Sequence, residues 1–257
     1  METSEMPEEV QMYLNIAEMY QKARQYTLAI ENYLKAQDIL TQKYGESNHK
    51  VVKINSLIAT SYHQAQQSDK AIEYLQKSVE CYKKLKQDEE NDMADVYMSL
   101  GRIFDAKGDF DKALEYYTKT LKIKEKCFGA LNSELVNVHN TIALGFRLRG
   151  FYDKSLKHYE SSLEILKSIK GERHPDIAKA YENIALIYRS QQKYEDTIEQ
   201  FNKALEIWKS VSGNKQSEIG DIYHNIGLVY VTWGKRTEAM EYYKKAIEAY
   251  KVSFGDK

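Results

Sequence analysis

Apolar residues along this chain recur at three- and four-residue spacing in twelve stretches, separated by short polar turns. That spacing gives a helix one apolar face. The stretches come in pairs, a shorter helix A and a longer helix B, and the pair occurs six times. Val10, Val52, Ala94, Val136, Ala178 and Gly220 serve as first positions, each 42 residues after the last, and align all six copies without a gap. The pattern predicts helix A over 7–22, 50–65, 92–107, 134–149, 176–191 and 218–233. It predicts helix B over 26–43, 68–86, 110–128, 152–169, 194–211 and 236–253. The repeats run approximately 8–49, 50–91, 92–133, 134–175, 176–217 and 218–257, one solenoid over 1–257 that grows by repetition.

With each first position counted as register 1, registers 7 and 8 pair an aliphatic residue with a small one: Ile16-Ala17, Ile58-Ala59, Leu100-Gly101, Ile142-Ala143, Ile184-Ala185 and Ile226-Gly227. Register 11 is aromatic every time, from Tyr20 to Tyr230. In helix B, small residues at register 20 (Ala29, Ala71, Ala113, Ser155, Thr197, Ala239) precede bulky ones at register 24 (Tyr33, Leu75, Tyr117, Tyr159, Phe201, Tyr243). Small residues let helices approach, and rings fill the space beside them. Most of the 21 tyrosines are thereby assigned to packing.

The turns agree. Gly108, Gly150 and Gly234 lie between A and B. After helix B, Gly45, Gly129, Gly171, Gly213 and Gly255 share a register where a left-handed residue would close the helix. Repeat two departs, with Gln87 in that register and 88–92 polar. The chain's two prolines, Pro7 and Pro175, are expected in first helical turns.

These small and large residues resemble the tetratricopeptide repeat, whose usual unit is ~34 residues. The longer unit here resembles the repeats of kinesin light chains. The match is closest over 171–207, through His174-Pro175-Asp176, Glu182-Asn183-Ile184-Ala185 and Lys203-Ala204-Leu205-Glu206-Ile207. The resemblance implies an all-α, right-handed superhelical solenoid of six helix-turn-helix repeats, with helix A lining a concave channel. Light chains bind the motor's heavy chain through a heptad coiled coil ahead of the repeats. The residues before repeat one carry no such heptads, so the expectation is a light-chain-like solenoid without that segment. At the other end, 254–257 read like the start of a linker, and no polar helix caps repeat six. Its outer face, with Tyr242, Tyr243 and Tyr250, is expected to dock against something.

Composition excludes more than it assigns. The net charge of −1 gives no reason to expect nucleic acid or an anionic membrane. No apolar run is long enough for a membrane span, and the acidic N-terminus is no secretory signal. Cys81 and Cys127 make no disulfide framework, which fits a cytoplasmic location. The histidines have no ligand spacing, and there is no phosphate-binding loop and no nucleophile elbow. No enzyme, metal or cofactor is expected.

The candidate chemistry is polar residues on helix A. Register 2 holds Gln11, Lys53, Asp95, Asn137, Lys179 and Asp221; register 6 holds Asn15, Leu57, Ser99, Thr141, Asn183 and Asn225. Arg102 at register 9, with Arg147 and Arg189 at register 12, adds positive charge. A carboxamide both donates and accepts, so a column of them can hold a peptide backbone whatever its sequence, and arginine forks add acidic side chains to the ligand class. The expected partner-binding set is Asn183, Asn225, Lys179, Arg189, Arg147, Asn137, Arg102 and Asn15. The carboxylate clamp of heat-shock co-chaperones is disfavoured by Asp95 and Asp221. The function expected is a protein–protein scaffold or adaptor binding an extended segment, an acidic one included. The alternative is a permanent component of a cytoskeletal or ciliary assembly.

Overall fold

The computed structural model describes residues 6–84, 90–211 and 215–254. Their regular structure is all helical: α1 (Glu8–Lys22), α2 (Tyr26–Tyr44), α3 (His49–Gln64), α4 (Ser68–Lys84), α5 (Glu90–Ala106), α6 (Phe110–Phe128), α7 (Ser133–Leu148), α8 (Tyr152–Lys170), α9 (Pro175–Ser190), α10 (Tyr194–Ser210), α11 (Gln216–Thr232) and α12 (Arg236–Phe254). Odd-numbered helices are the A helices and even-numbered ones the B helices, an all-α repeat fold. Among the described residues no helix is long and apolar enough to cross a membrane.

The chain divides into two compact units, 1–127 and 128–257. In the first, α1 packs on α2, α3 on α2 and α4, and α5 on α4. Thr120 of α6 donates to the Ala94 carbonyl of α5 at 3.2 Å. In the second, α7 through α12 pack pairwise in chain order. The small-and-large registers meet as the pattern demands. Tyr33, Tyr117 and Phe201 are among the largest fully buried side chains. Where register 8 is glycine, a tyrosine takes the vacated room: a Cβ on Gly101 would lie 2.6 Å from Tyr117 Cδ1, and one on Gly227 2.6 Å from Tyr243 Cε1.

Helix starts share a device. Asn48, Asn132 and His174, all four residues before a first position, cap α3, α7 and α9 by accepting from the backbone N–H two residues on. His174 does this through Nδ1, which assigns that linker histidine a structural role, and Pro175 follows it in the first turn as expected. Pro7 lies one position outside α1, and its carbonyl accepts from Gln11 N–H at 3.0 Å.

Helix ends amend the expectation. Gly45 and Gly171 have positive φ, but ψ is 161° and 163°, an extended mirror-image conformation and not the left-handed helical one. Gly213, Gly255 and Gln87 lie outside the described residues. Between A and B, register 15 has positive φ in all six repeats, and only three carry glycine there. Arg24, Gln66 and Gln192 adopt φ of 59°, 62° and 58°.

Candidate partner-binding clefts on the helix A face

Register 2 of one A helix and registers 2 and 6 of the next face the same space. Between α7 and α9 this makes a cleft of about 260 Å³. Asn137 and Asn140 come from α7; Asp176, Lys179 and Asn183 come from α9. Leu166 of α8, with Val136 and Ala180, supplies the apolar lining. Asp176 is held by Lys170 at 2.5 Å, and that bond draws its carboxyl below the usual range. Asn140 Oδ1 is buried and, among the described residues, accepts no hydrogen bond. An orphaned buried acceptor costs about 1–3 kcal/mol until a donor reaches it.

The first unit has a counterpart 84 residues earlier, a cleft of about 170 Å³ lined by Lys53, Ser56, Tyr82, Asp92, Asp95, Val96 and Ser99. Asp92 matches Asp176, and the other polar registers differ: Lys53, Ser56, Asp95 and Ser99 stand where the second unit has Asn137, Asn140, Lys179 and Asn183. Lys53 and Asp92 pair across it at 3.6 Å. Asp95 is bound from beneath by the buried Lys124, 2.9 Å away, which also donates to Asn91 at 3.3 Å. Three carboxamides line the first cleft beside Asp176 and Lys179, whereas the lining of the second has none and is dominated by paired charges.

Lys124 belongs to a column that the helix A pattern did not single out. Register 31 carries Leu40, Tyr82, Lys124, Leu166, Trp208 and Tyr250. These helix B residues reach the helix A side. Trp208 Nε1 donates to Glu182 Oε1 at 2.9 Å, and Tyr250 donates to Asp221 Oδ1 at 2.6 Å. Burial, then the bond to that carboxylate, pushes the Tyr250 hydroxyl up to about 12. Burial raises the Glu182 carboxyl, the indole bond opposes that, and Asp221 and Glu218 add to it. The α9–α11 side of Lys179 is thus acidic and closed by Trp208, unlike the amide-lined cleft before it.

The tetratricopeptide repeat family model matches residues 8–84, 50–126, 134–196 and 176–251. The chain belongs to the tetratricopeptide repeat family. No curated protein matches it. Among solved structures it is similar to BtubC (BKLC) from P. vanneervenii, at 17% identity and a TM-score of 0.69, over 100% of this chain and 94% of that one. It is similar to the nearly identical repeats of a putative kinesin light chain from Podosopora anserina, at 18% and 0.66, over 79% and 96%. Aspartyl phosphate phosphatase F from Bacillus subtilis aligns at 14% and 0.67, over 96% and 71%. At these identities the likeness shows the fold alone. The tetratricopeptide fold generally mediates protein–protein interaction, and its families are generally non-catalytic.

Three residues singled out in the sequence, Asn137, Lys179 and Asn183, meet in the α7–α9 cleft of this tetratricopeptide array. Asn225 stands one repeat on, half-buried on α11, outside that cleft's lining. Arg189 is half-buried in the last turn of α9. Arg147 is half-buried on α7, and its charge opposes the rise that burial imposes on the Tyr159 hydroxyl. Arg102 is exposed on α5, and Asn15 is exposed on α1, where it accepts from Gln11 at 2.9 Å. Asn140, the orphaned acceptor, was missed. It sits at register 5, between the two registers that drew attention, with hydrophobic or dissimilar residues there in other repeats.

Two histidines pack against each other. His139 and His158, 19 residues apart, meet with Nδ1 atoms 3.0 Å apart. They occupy registers 4 and 23, where repeats three and six carry ring pairs, Tyr97–Tyr116 and Tyr223–Tyr242. His158 also stacks on Phe146, as Tyr116 does on Phe104. The pair takes the place of an aromatic bracket. Burial, then the neighbouring His139, lowers His158 to about 4.

Proposed function

We propose that this chain is a non-enzymatic scaffold that holds an extended segment of a protein partner, gripped by its main chain, in the α7–α9 cleft. One observation carries the reading: Asn137, Asn140 and Asn183 converge on one cleft, and the buried Asn140 Oδ1 has no donor among the described residues. With its amide turned into the cleft, Asn140 takes that donor from a partner's backbone N–H, and the other carboxamides can meet the partner's carbonyls and N–H groups in turn. Lys179 at the rim favours an acidic side chain on one side of the segment, while Glu182, Glu218 and Asp221 disfavour it on the other.

The test selects peptides against the chain from a random library and measures their affinity for wild type and for Asn137→Ala/Asn140→Ala/Asn183→Ala. At least a tenfold loss, reproduced by N-methylating the peptide's central amides, is expected. Equal affinity for both proteins would sink the reading.

A further inference from the structure

The clefts of the two units are built from the same registers. Register 3 of the later A helix and register 31 of the B helix before it form the apolar floor of each: Val96 and Tyr82 in the first unit, Ala180 and Leu166 in the second. The first cleft holds about 170 Å³ and the second about 260 Å³.

Both floor residues of the larger cleft are small for their registers. Register 3 is Ile54, Val96, Val138 and Ile222 in repeats two, three, four and six, and all four are buried. Packing at that register therefore accepts a β-branched side chain, yet repeat five carries Ala180. Register 31 is Tyr82, Lys124, Trp208 and Tyr250 in repeats two, three, five and six, whereas repeat four carries Leu166. Ala180 and Leu166 are themselves buried, so the trimming deepens the cleft above them.

The polar side of the cleft repeats the contrast. In repeat five, Trp208 at register 31 gives its indole N–H to Glu182 at register 5. Leu166 and Asn140 stand at the same two registers of repeat four, 26 residues apart as that pair is. Leucine has no N–H to give, and the buried Asn140 Oδ1 has no donor among the described residues. Where repeat five places a ring and a donor of its own, repeat four leaves room and an acceptor.

We propose that this room is a specificity pocket of the α7–α9 cleft, filled by an aliphatic side chain of the partner segment beside the backbone N–H that Asn140 accepts. The inference rests on the reading of the cleft as a main-chain grip and adds which residue the grip selects. A charged side chain would lie against Val136, Leu166 and Ala180 with nothing to replace its water. Glycine or alanine would leave the floor uncovered. An aliphatic side chain takes the floor and itself out of water together.

Peptides selected from a random library against the chain provide the test. They are expected to share an aliphatic residue at one position, and its replacement by alanine weakens binding to wild type about tenfold or more. Leu166→Tyr/Ala180→Val rebuilds the floor found in the first unit. This variant is expected to bind the selected peptides about tenfold or more weakly, and to bind the alanine-substituted peptide as well as wild type does. Should it lose helix content by circular dichroism, Ala180→Val alone makes the smaller change, and the peptide substitution needs no variant of the protein. Selected peptides without an aliphatic preference overturn the inference, as does equal affinity for wild type and a folded, filled variant. If Asn137→Ala/Asn140→Ala/Asn183→Ala still weakens binding in that case, the main-chain grip stands and only the pocket falls. Equal affinity for that triple variant sinks the grip, and the pocket with it.

Discussion

Trp208 donates its indole N–H to the carboxylate of Glu182 at 2.9 Å, from helix B of repeat five onto its own helix A. The bond is a partial remedy. Burial still raises the Glu182 carboxyl above its ordinary 4.5, with Asp221 and Glu218 contributing. A raised carboxyl binds its proton more tightly in the folded chain than in the unfolded one. Its stabilising contribution is complete below pH 4.5 and is lost as pH rises through the folded value. Glu182→Gln keeps an acceptor for the indole and cannot ionise. It is expected to raise the melting temperature at pH 7 and to match wild type near pH 4. Trp208→Phe, which leaves the carboxylate without that donor, is expected to cost about 1–3 kcal/mol at pH 7. Equal melting curves for Glu182→Gln and wild type at pH 7 would contradict this.

The His139–His158 pair gives the opposite sign. His158 falls from its ordinary 6.5 to about 4, so the folded chain resists a proton that the unfolded chain accepts. Stability is held above pH 6.5 and drains as pH falls toward 4. Allowing for partial exposure, about 1–2 kcal/mol is at stake. His158→Tyr restores the residue found at that register in Tyr74, Tyr116 and Tyr242. Denaturant titrations at pH 7 and pH 5 are expected to show a smaller difference for His158→Tyr than for wild type.

The A–B turns make a third test. Gln66 and Gln192 adopt positive φ at the register where Gly108, Gly150 and Gly234 do so freely. A side chain there strains the backbone by about 1 kcal/mol. Gln66→Gly and Gln192→Gly are each expected to leave stability unchanged or raise it by up to about 1 kcal/mol, since lost strain outweighs added unfolded-state freedom. Gly150→Ala, at φ 78°, is expected to lower it by a similar amount. Loss of stability in both glutamine variants would show that those side chains contribute more than their backbone costs.

Gly101 is a helical glycine, and alanine would ordinarily stabilise such a position by about 1 kcal/mol. Here the added Cβ would press on the Tyr117 ring, which is fully buried and has nowhere to retreat. Gly101→Ala is expected to destabilise by about 1–3 kcal/mol. Gly227→Ala meets Tyr243 in the same way, but that ring is only half-buried on α12 and can shift. The smaller loss is therefore expected there, and the order of the two midpoints in urea checks it.

The 42-residue period determined the repeat architecture by itself. Packing between an A and a B helix depends on residues close in sequence, so Ile184, Ala185 and Phe201 announce their contacts through their spacing. The positions of Asn137, Lys179 and Asn183 on one face were legible for the same reason. Tertiary structure decided which of them meet. Which helix A carboxylate is held from below depends on what register 31 sends up, Lys124 to Asp95 in one unit and Trp208 to Glu182 in the other. It also decided that His139 and His158 share a contact. Those outcomes turn on side-chain reach and burial between helices. A linear pattern carries the period of a helix face, and says nothing of how far a side chain extends across it.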